Sequence, residues 1–436
     1  MDSRVDEEAP LVVGDRKVEQ PKNYTRDVHI LSISFLLVFL AYGAAQNLET
    51  TINKDLGTIS LGILYVSFMF CSMVASLVVR LMGSKNALVL GTSGYWLFVA
   101  ANLKPSWFTM VPASLYLGFS SSIIWVGQGT YLTSVARSHA RDHNLHEGPV
   151  IGIFNGEFWA MFACHQLFGN LVTLALLRDG KEGSTSGTTL LMVVFLFSMT
   201  LGIILMCFIR KNEVEDGKEA KGSSVGFYDS VVSLPRMIIT PLLNKRMVLI
   251  VPLLAYSGLQ QAFVWAEFTK DVVTPAIGVS GVGGAMAVYG ALDAVCSITA
   301  GRFTSGLSSI TFIVSGGAVA QAFVFLWLLL GYRVTSGALG TAYPLLMAAL
   351  LGIGDGVLNT QISALLALLF KDDTEGAFAQ LKVWQSGAIA VVFFLSPYIT
   401  MQAMVVVMLA GVCFSLLSFL TLSVWVEKVF FHGQNQ

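Results

Sequence analysis

Apolar runs of about 18 or more residues, roughly what a helix needs to cross a bilayer, recur twelve times along the chain. Six lie at about 28–47, 59–82, 86–103, 108–135, 149–177 and 188–209. Six more lie at about 246–268, 278–301, 309–331, 338–370, 376–397 and 400–426. The polar segment between the two sets, 211–245, holds no stretch long enough to span, and it is rich in Lys and Arg from Arg210 to Arg246. This pattern predicts an all-α integral membrane protein with twelve transmembrane helices. The expected division is a cytosolic tail over 1–27, a six-helix half over 28–210, a cytosolic connector over 211–245, a second six-helix half over 246–426 and a cytosolic tail over 427–436.

The two sets also echo one another. Leu40-Ala41-Tyr42-Gly43-Ala44-Ala45-Gln46 returns as Leu254-Ala255-Tyr256-Ser257-Gly258-Leu259-Gln260, with four identities in seven, which predicts two pseudo-symmetric halves. Placing the N-terminus in the cytosol puts twenty of the 26 Lys and Arg on the cytosolic side, as the excess of basic residues in cytoplasmic segments requires. On this topology the sequon Asn23-Tyr24-Thr25 is cytosolic and unused. The acidic leader (Asp2, Asp6, Glu7, Glu8) is unlike a cleavable signal peptide, so the first helix is expected to act as an uncleaved insertion signal. Glu7-Glu8-Ala9-Pro10-Leu11-Val12 approximates an acidic dileucine sorting signal, with Val12 as the mismatch. The plasma membrane and a vacuolar membrane both stay open.

Composition narrows the function. With 55% hydrophobic and 12% charged residues, the chain lies far from the roughly 25% charged usage of soluble domains. A net charge of −1 without a dense basic block leaves no electrostatic footprint for nucleic acid. Five widely spaced cysteines, all inside expected spans, read as small packing residues rather than disulfides or metal ligands. No phosphate-binding loop, potassium-selectivity filter, arginine-rich voltage sensor or nucleophile elbow occurs. A pump, a potassium pore and a hydrolase are therefore unsupported, and neither an enzyme nor a cofactor is expected.

Charges inside spans are the strongest pointers to a site, since each costs about 3 kcal/mol at mid-membrane unless paired or hydrated. Here they are Glu157, Glu267, Asp293, Asp355 and Lys382, with His165 as a sixth. At about 100° per residue, Tyr42, Gln46 and Glu49 share one face of the first span, and Tyr256, Gln260 and Glu267 one face of the seventh. These stripes are candidate cavity walls, or hydrogen bonds that hold the halves together. Asp355 and Asn359 are one turn apart on span ten, and an Asp355–Lys382 pair is geometrically feasible, either structural or as an ion or proton site. Glu157 and His165, two turns apart, could relay a proton or be ordinary interior residues. His139, His143 and His146 form a cytosolic loop cluster able to bind metal or sense pH, or simply solvated.

Arg80-Leu81-Met82-Gly83 and Arg302-Phe303-Thr304-Ser305-Gly306 each place Arg before Gly after the second span of a half. Both turns look like the loop motif of the major facilitator superfamily, but the acid usual in that loop is missing from each. Longer stretches are more specific: AYGAAQNLETTINKDLGTISLGILY, WVGQGTYLT with Trp125 and Gln128, FNGEFWAMFACHQLFGN, and GIGDGVLNTQ. Together they resemble the uncoordinated-93-like branch of that superfamily, and most closely its plant members, over about 24–426. The resemblance implies a twelve-span fold and a non-enzymatic regulator of a potassium channel, acting in ion homeostasis beside another membrane protein in the bilayer. A proton-coupled transporter of a small solute and a trafficking partner of other membrane proteins are the alternatives.

Overall fold

A computed structural model describes residues 23–52, 54–177, 185–211, 240, 242–333, 337–396 and 398–433. The first-tail sorting signal and most of the connector lie outside the described residues. Within them the chain is helical, and no strand occurs. The first half is α1 (Tyr24–Ile52), α2 (Lys54–Met82), α3 (Ser84–Ala101), α4 (Trp107–Asp142), α5 (Glu147–Leu177) and α6 (Thr185–Cys207). The second is α7 (Lys245–Ile277), α8 (Val279–Phe303), α9 (Leu307–Leu330), α10 (Ala338–Leu369), α11 (Thr374–Leu395) and α12 (Met401–Gly433). Ten of these, all but α3 and α5, are long and apolar enough to cross a membrane by length and composition. The other two complete the bundle by packing, α3 along α4 and α5 along α8.

Several helices extend past their apolar runs because local caps, not hydrophobicity, set their ends. Asn23 accepts a bond from the Arg26 amide at 3.0 Å, so the sequon asparagine starts α1 as an N-cap. Ser106 and Thr109 form a reciprocal capping box on α4, satisfying amides that a first turn leaves free. Asp373 caps α11 by accepting from the Gly376 amide at 2.9 Å. One helix is irregular: α7 runs as an α-helix through Ala262 and widens to a π-helix over Phe263–Val273.

The halves meet along two seams, α5 against α8 and α2 against α11, with α4–α11 and α5–α10 contacts between them. Small residues set the first seam. A methyl group on Gly301 would lie 2.5 Å from the Gly152 carbonyl oxygen and 2.7 Å from the Gly156 Cα, so these backbones approach as closely as glycine permits. Aromatic and sulfur side chains make the second, with Tyr65 stacked on Phe393 at 5.7 Å and Met69 beside Gly387.

Candidate functional site

Asp355 is the hub of the second half. Its Oδ1 accepts from Gln260, from Gln261 at 3.2 Å and from Asn359 at 3.0 Å, and its Oδ2 accepts from the Tyr289 hydroxyl at 2.6 Å. A second layer follows, in which Gln321 donates to Gln260 at 3.0 Å and Tyr256 donates to Gln321 at 2.5 Å. The network ties α7, α8, α9 and α10 together and is buried apart from the half-buried Gln261, with Gln260 and Gln321 completely so. In a low-dielectric interior such a satisfied network rigidifies its helices, whereas a half-satisfied one would destabilise them. Asp293, one turn from Ser297, accepts from that hydroxyl at 3.1 Å. Among the described residues this is its one hydrogen bond, which leaves it far less satisfied than Asp355.

The first half is built differently at the corresponding place. Tyr42 stands among rings, 5.0 Å from Tyr95, 5.9 Å from Phe98 and 6.0 Å from Phe39. Phe39 also meets Trp125 at 5.1 Å and Phe162 at 5.0 Å. The Tyr95 hydroxyl accepts from Ser121 at 2.9 Å and from the Trp125 indole at 3.2 Å. Gln46 reaches Tyr65 on α2, while Gln128 is buried with no partner for its amide nitrogen among the described residues. The Glu49 side chain lies outside the described residues. Matching stripes in sequence have thus become an aromatic cluster in one half and a polar network in the other.

Three expected pairings do not form. Asp355 and Lys382 make no ion pair, because the Asp355 oxygens are occupied and Lys382 turns toward the first half. Its Nζ sits 4.5 Å from the centre of the Trp125 ring and donates to Gln385 at 2.8 Å. Glu157 and His165 are not linked either. Glu157 lies 4.0 Å from His29, and His165 packs 4.5 Å from the Phe162 ring with Nδ1 against the Phe162 carbonyl. Glu267 is buried but does not join Tyr256 and Gln260. It lies on the π-helical stretch of α7, where a wider turn breaks the 3.6-residue spacing. It reaches Ser396 instead.

Lys382 sits where the halves meet. Trp125, stacked on Trp159 at 5.7 Å, covers it from the first half, and the Trp159 indole donates across to Ser363 at 3.1 Å. A void beside Lys382, lined also by Ser257, Asn359, Ser363 and Gln385, leaves about 10 Å³ for the centre of a water molecule, room for about one water. A desolvated cation over an indole face gains about 2 kcal/mol, which offsets part of the roughly 3 kcal/mol a lone mid-membrane charge costs.

At the end of the bundle that carries Tyr24, charged groups join the halves. Arg80 on α2 pairs with Asp373 and lies 3.7 Å from Glu375 on α11. Lys371 donates to Glu147 at 2.5 Å, and Arg137 donates to the Ala367 carbonyl at 2.6 Å and to Thr374 at 3.3 Å. The acid absent from the Arg80 loop is therefore supplied by the other half. The two Arg-Gly turns are not equivalent: Gly83 has φ 75°, a left-handed conformation that favours glycine, whereas Gly306 is extended at φ 173°. Arg302 is exposed, with no ion pair among the described residues. Nearby, the His139 and His143 rings lie 4.2 Å apart, and His139 packs against Tyr24 and Phe154. His139 belongs to α4 rather than to a loop.

A family model described as ion channel regulatory protein UNC-93 matches residues 48–328 and 338–420. The chain belongs to the UNC-93 family. It is 86% identical over 412 residues to UNC93-like protein 3 of Arabidopsis thaliana, covering 94% of this chain and 89% of that one. Protein unc-93 homolog A of Homo sapiens is 26% identical, over 90% of this chain and 92% of the relative. The putative potassium channel regulatory protein unc-93 of Caenorhabditis elegans is 27% identical, over 88% of this chain and 59% of the relative. Among solved structures, the proton:xylose symporter XylE superposes with a TM-score of 0.65 at 12% identity, covering 93% and 95% of the two chains. FucP in an outward conformation gives 0.62 at 12%, covering 92% and 99%. At such identity the likeness shows the fold alone, and that fold is the major facilitator type.

Proposed function

We propose that this UNC-93 family protein is a non-enzymatic regulator of a cation channel, acting on potassium balance from within the bilayer with both termini in the cytosol. The observation that carries this reading is the family match across both halves, together with a Caenorhabditis elegans relative whose name specifies potassium channel regulation. The interior supports it: Asp355, the buried carboxylate at the hub of the second half, already holds four donors. Potassium current through a co-expressed channel, recorded with and without this protein, tests the proposal. The current changes if the protein is a regulator, and an unchanged current across candidate channels counts against it.

A second reading, a proton-coupled transporter of a small solute, draws on one specific feature. Lys382 and the void beside it lie between the halves, where transporters of this architecture hold their substrates, and the sparsely bonded Asp293 lies in the second half. pH-dependent uptake into vesicles that is lost in Asp293→Asn would favour this reading over the first.

A further inference from the structure

We propose that Lys382 is the cation of a small-anion site at the junction of the two halves. Three observations meet there. Lys382 is 5% exposed, and no carboxylate lies within ion-pairing distance of it among the described residues. The partner expected from the sequence, Asp355, is occupied by its own donors. Of the three N–H groups on Nζ, one bonds Gln385 and the ammonium faces the Trp125 ring, which leaves donor capacity toward the adjoining void.

The void fixes the size and charge of what it can take. Its space is about that of one water, too little for a sugar or a dicarboxylate; a monatomic halide comes nearest to it, and a one-carbon carboxylate, with three heavy atoms, marks the upper limit. Its polar wall includes Ser257 and Ser363. Each hydroxyl now donates to a carbonyl of its own helix, Leu254 at 2.7 Å and Asn359 at 2.8 Å, and each can rotate to donate inward. A monovalent anion there neutralises the buried ammonium. It also touches both halves, because Trp159 comes from α5 and Lys382 from α11.

The test uses the purified full-length protein in sodium gluconate, whose anion is too large to enter. Sodium bromide is titrated at constant ionic strength while thermal unfolding and tryptophan fluorescence are followed, since bromide quenches indoles it touches. Sodium formate in a parallel titration separates a carboxylate site from a halide site. The wild type shows saturable stabilisation by at least one of the two, with saturable quenching where bromide binds. Lys382→Gln raises the half-saturation concentration by about tenfold or more, equivalent to about 1.4 kcal/mol, and Lys382→Arg retains most of the response. Gln385→Glu supplies an internal carboxylate, so this variant is stable in gluconate and indifferent to added anion. Arg302→Gln, remote from the void, behaves as the wild type. A linear, unsaturable response in the wild type overturns the site, as does equal saturation in Lys382→Gln. Should Lys382→Gln fail to fold, the wild-type saturation and Gln385→Glu decide alone.

Discussion

The two halves start from one heptapeptide pattern and reach opposite interiors. In the first, Tyr42 is one ring among many, and the centre is held by apolar contact and by Tyr95 as acceptor for two donors. In the second, the equivalent Tyr256 is the outer member of a hydrogen-bond network that ends on a carboxylate. Local sequence identity therefore fixes position on the helix but not chemistry, which comes from what the neighbouring helices present. The difference gives the halves unequal tolerance: ring contacts degrade gradually, whereas a buried network fails when its charge is removed.

The largest expected effect follows from that inequality. Asp355→Leu strands four donors and should cost about 3–5 kcal/mol, whereas Phe39→Leu in the aromatic cluster should cost under about 1.5 kcal/mol. Denaturant unfolding of the purified protein measures both, and comparable losses would break the distinction. Next come the seams. Gly301→Val drives a side chain into the α5 backbone, which cannot give, for about 1–3 kcal/mol. Gly387→Ala meets only the flexible Met69 side chain at 3.0 Å and should stay within about 0.5 kcal/mol of the wild type. Assays of association between separately expressed halves would show which seam governs their union.

Smallest are the loop effects. Arg80→Gln removes a half-exposed pair with Asp373 and Glu375 worth about 0.2–1 kcal/mol. Hydrogen exchange at the first turn of α11 should accelerate by up to about fivefold in low salt, and less in high salt. Arg302→Gln should leave exchange at α5 unchanged, because Arg302 makes no matching ion pair among the described residues. Equal effects from the two variants would restore the symmetry that the sequence suggests.

Much of this architecture was visible in the sequence. Twelve apolar runs and a basic bias announce a helical membrane bundle, and the charge of Asp355 inside one run marks the hub. The rest of the network is less legible, because Gln261 and Tyr289, which donate to Asp355, and Gln321, which donates to Gln260, carry no net charge and gain meaning only where four helices converge. Gln321, a lone amide in the apolar run of α9, was the signal available. Lys382 stands out in the sequence as a charge inside a span, but its partner does not, since spacing along helices says nothing of which helix a long side chain will face. The acid missing from the Arg80 loop sits 293 residues away, beyond the reach of any local motif. Glu267 left its predicted face because the turn widens at Phe263, a change that no periodicity signals in advance.

The most direct test of the proposed role is potassium and solute flux in proteoliposomes that contain this protein alone, compared with vesicles in which it accompanies a potassium channel. The regulator account predicts no flux from the protein by itself across a broad solute panel, and an altered channel flux when both are present. Solute flux from the protein alone that disappears in Asp293→Asn, with channel flux unaffected, would contradict it and establish a carrier.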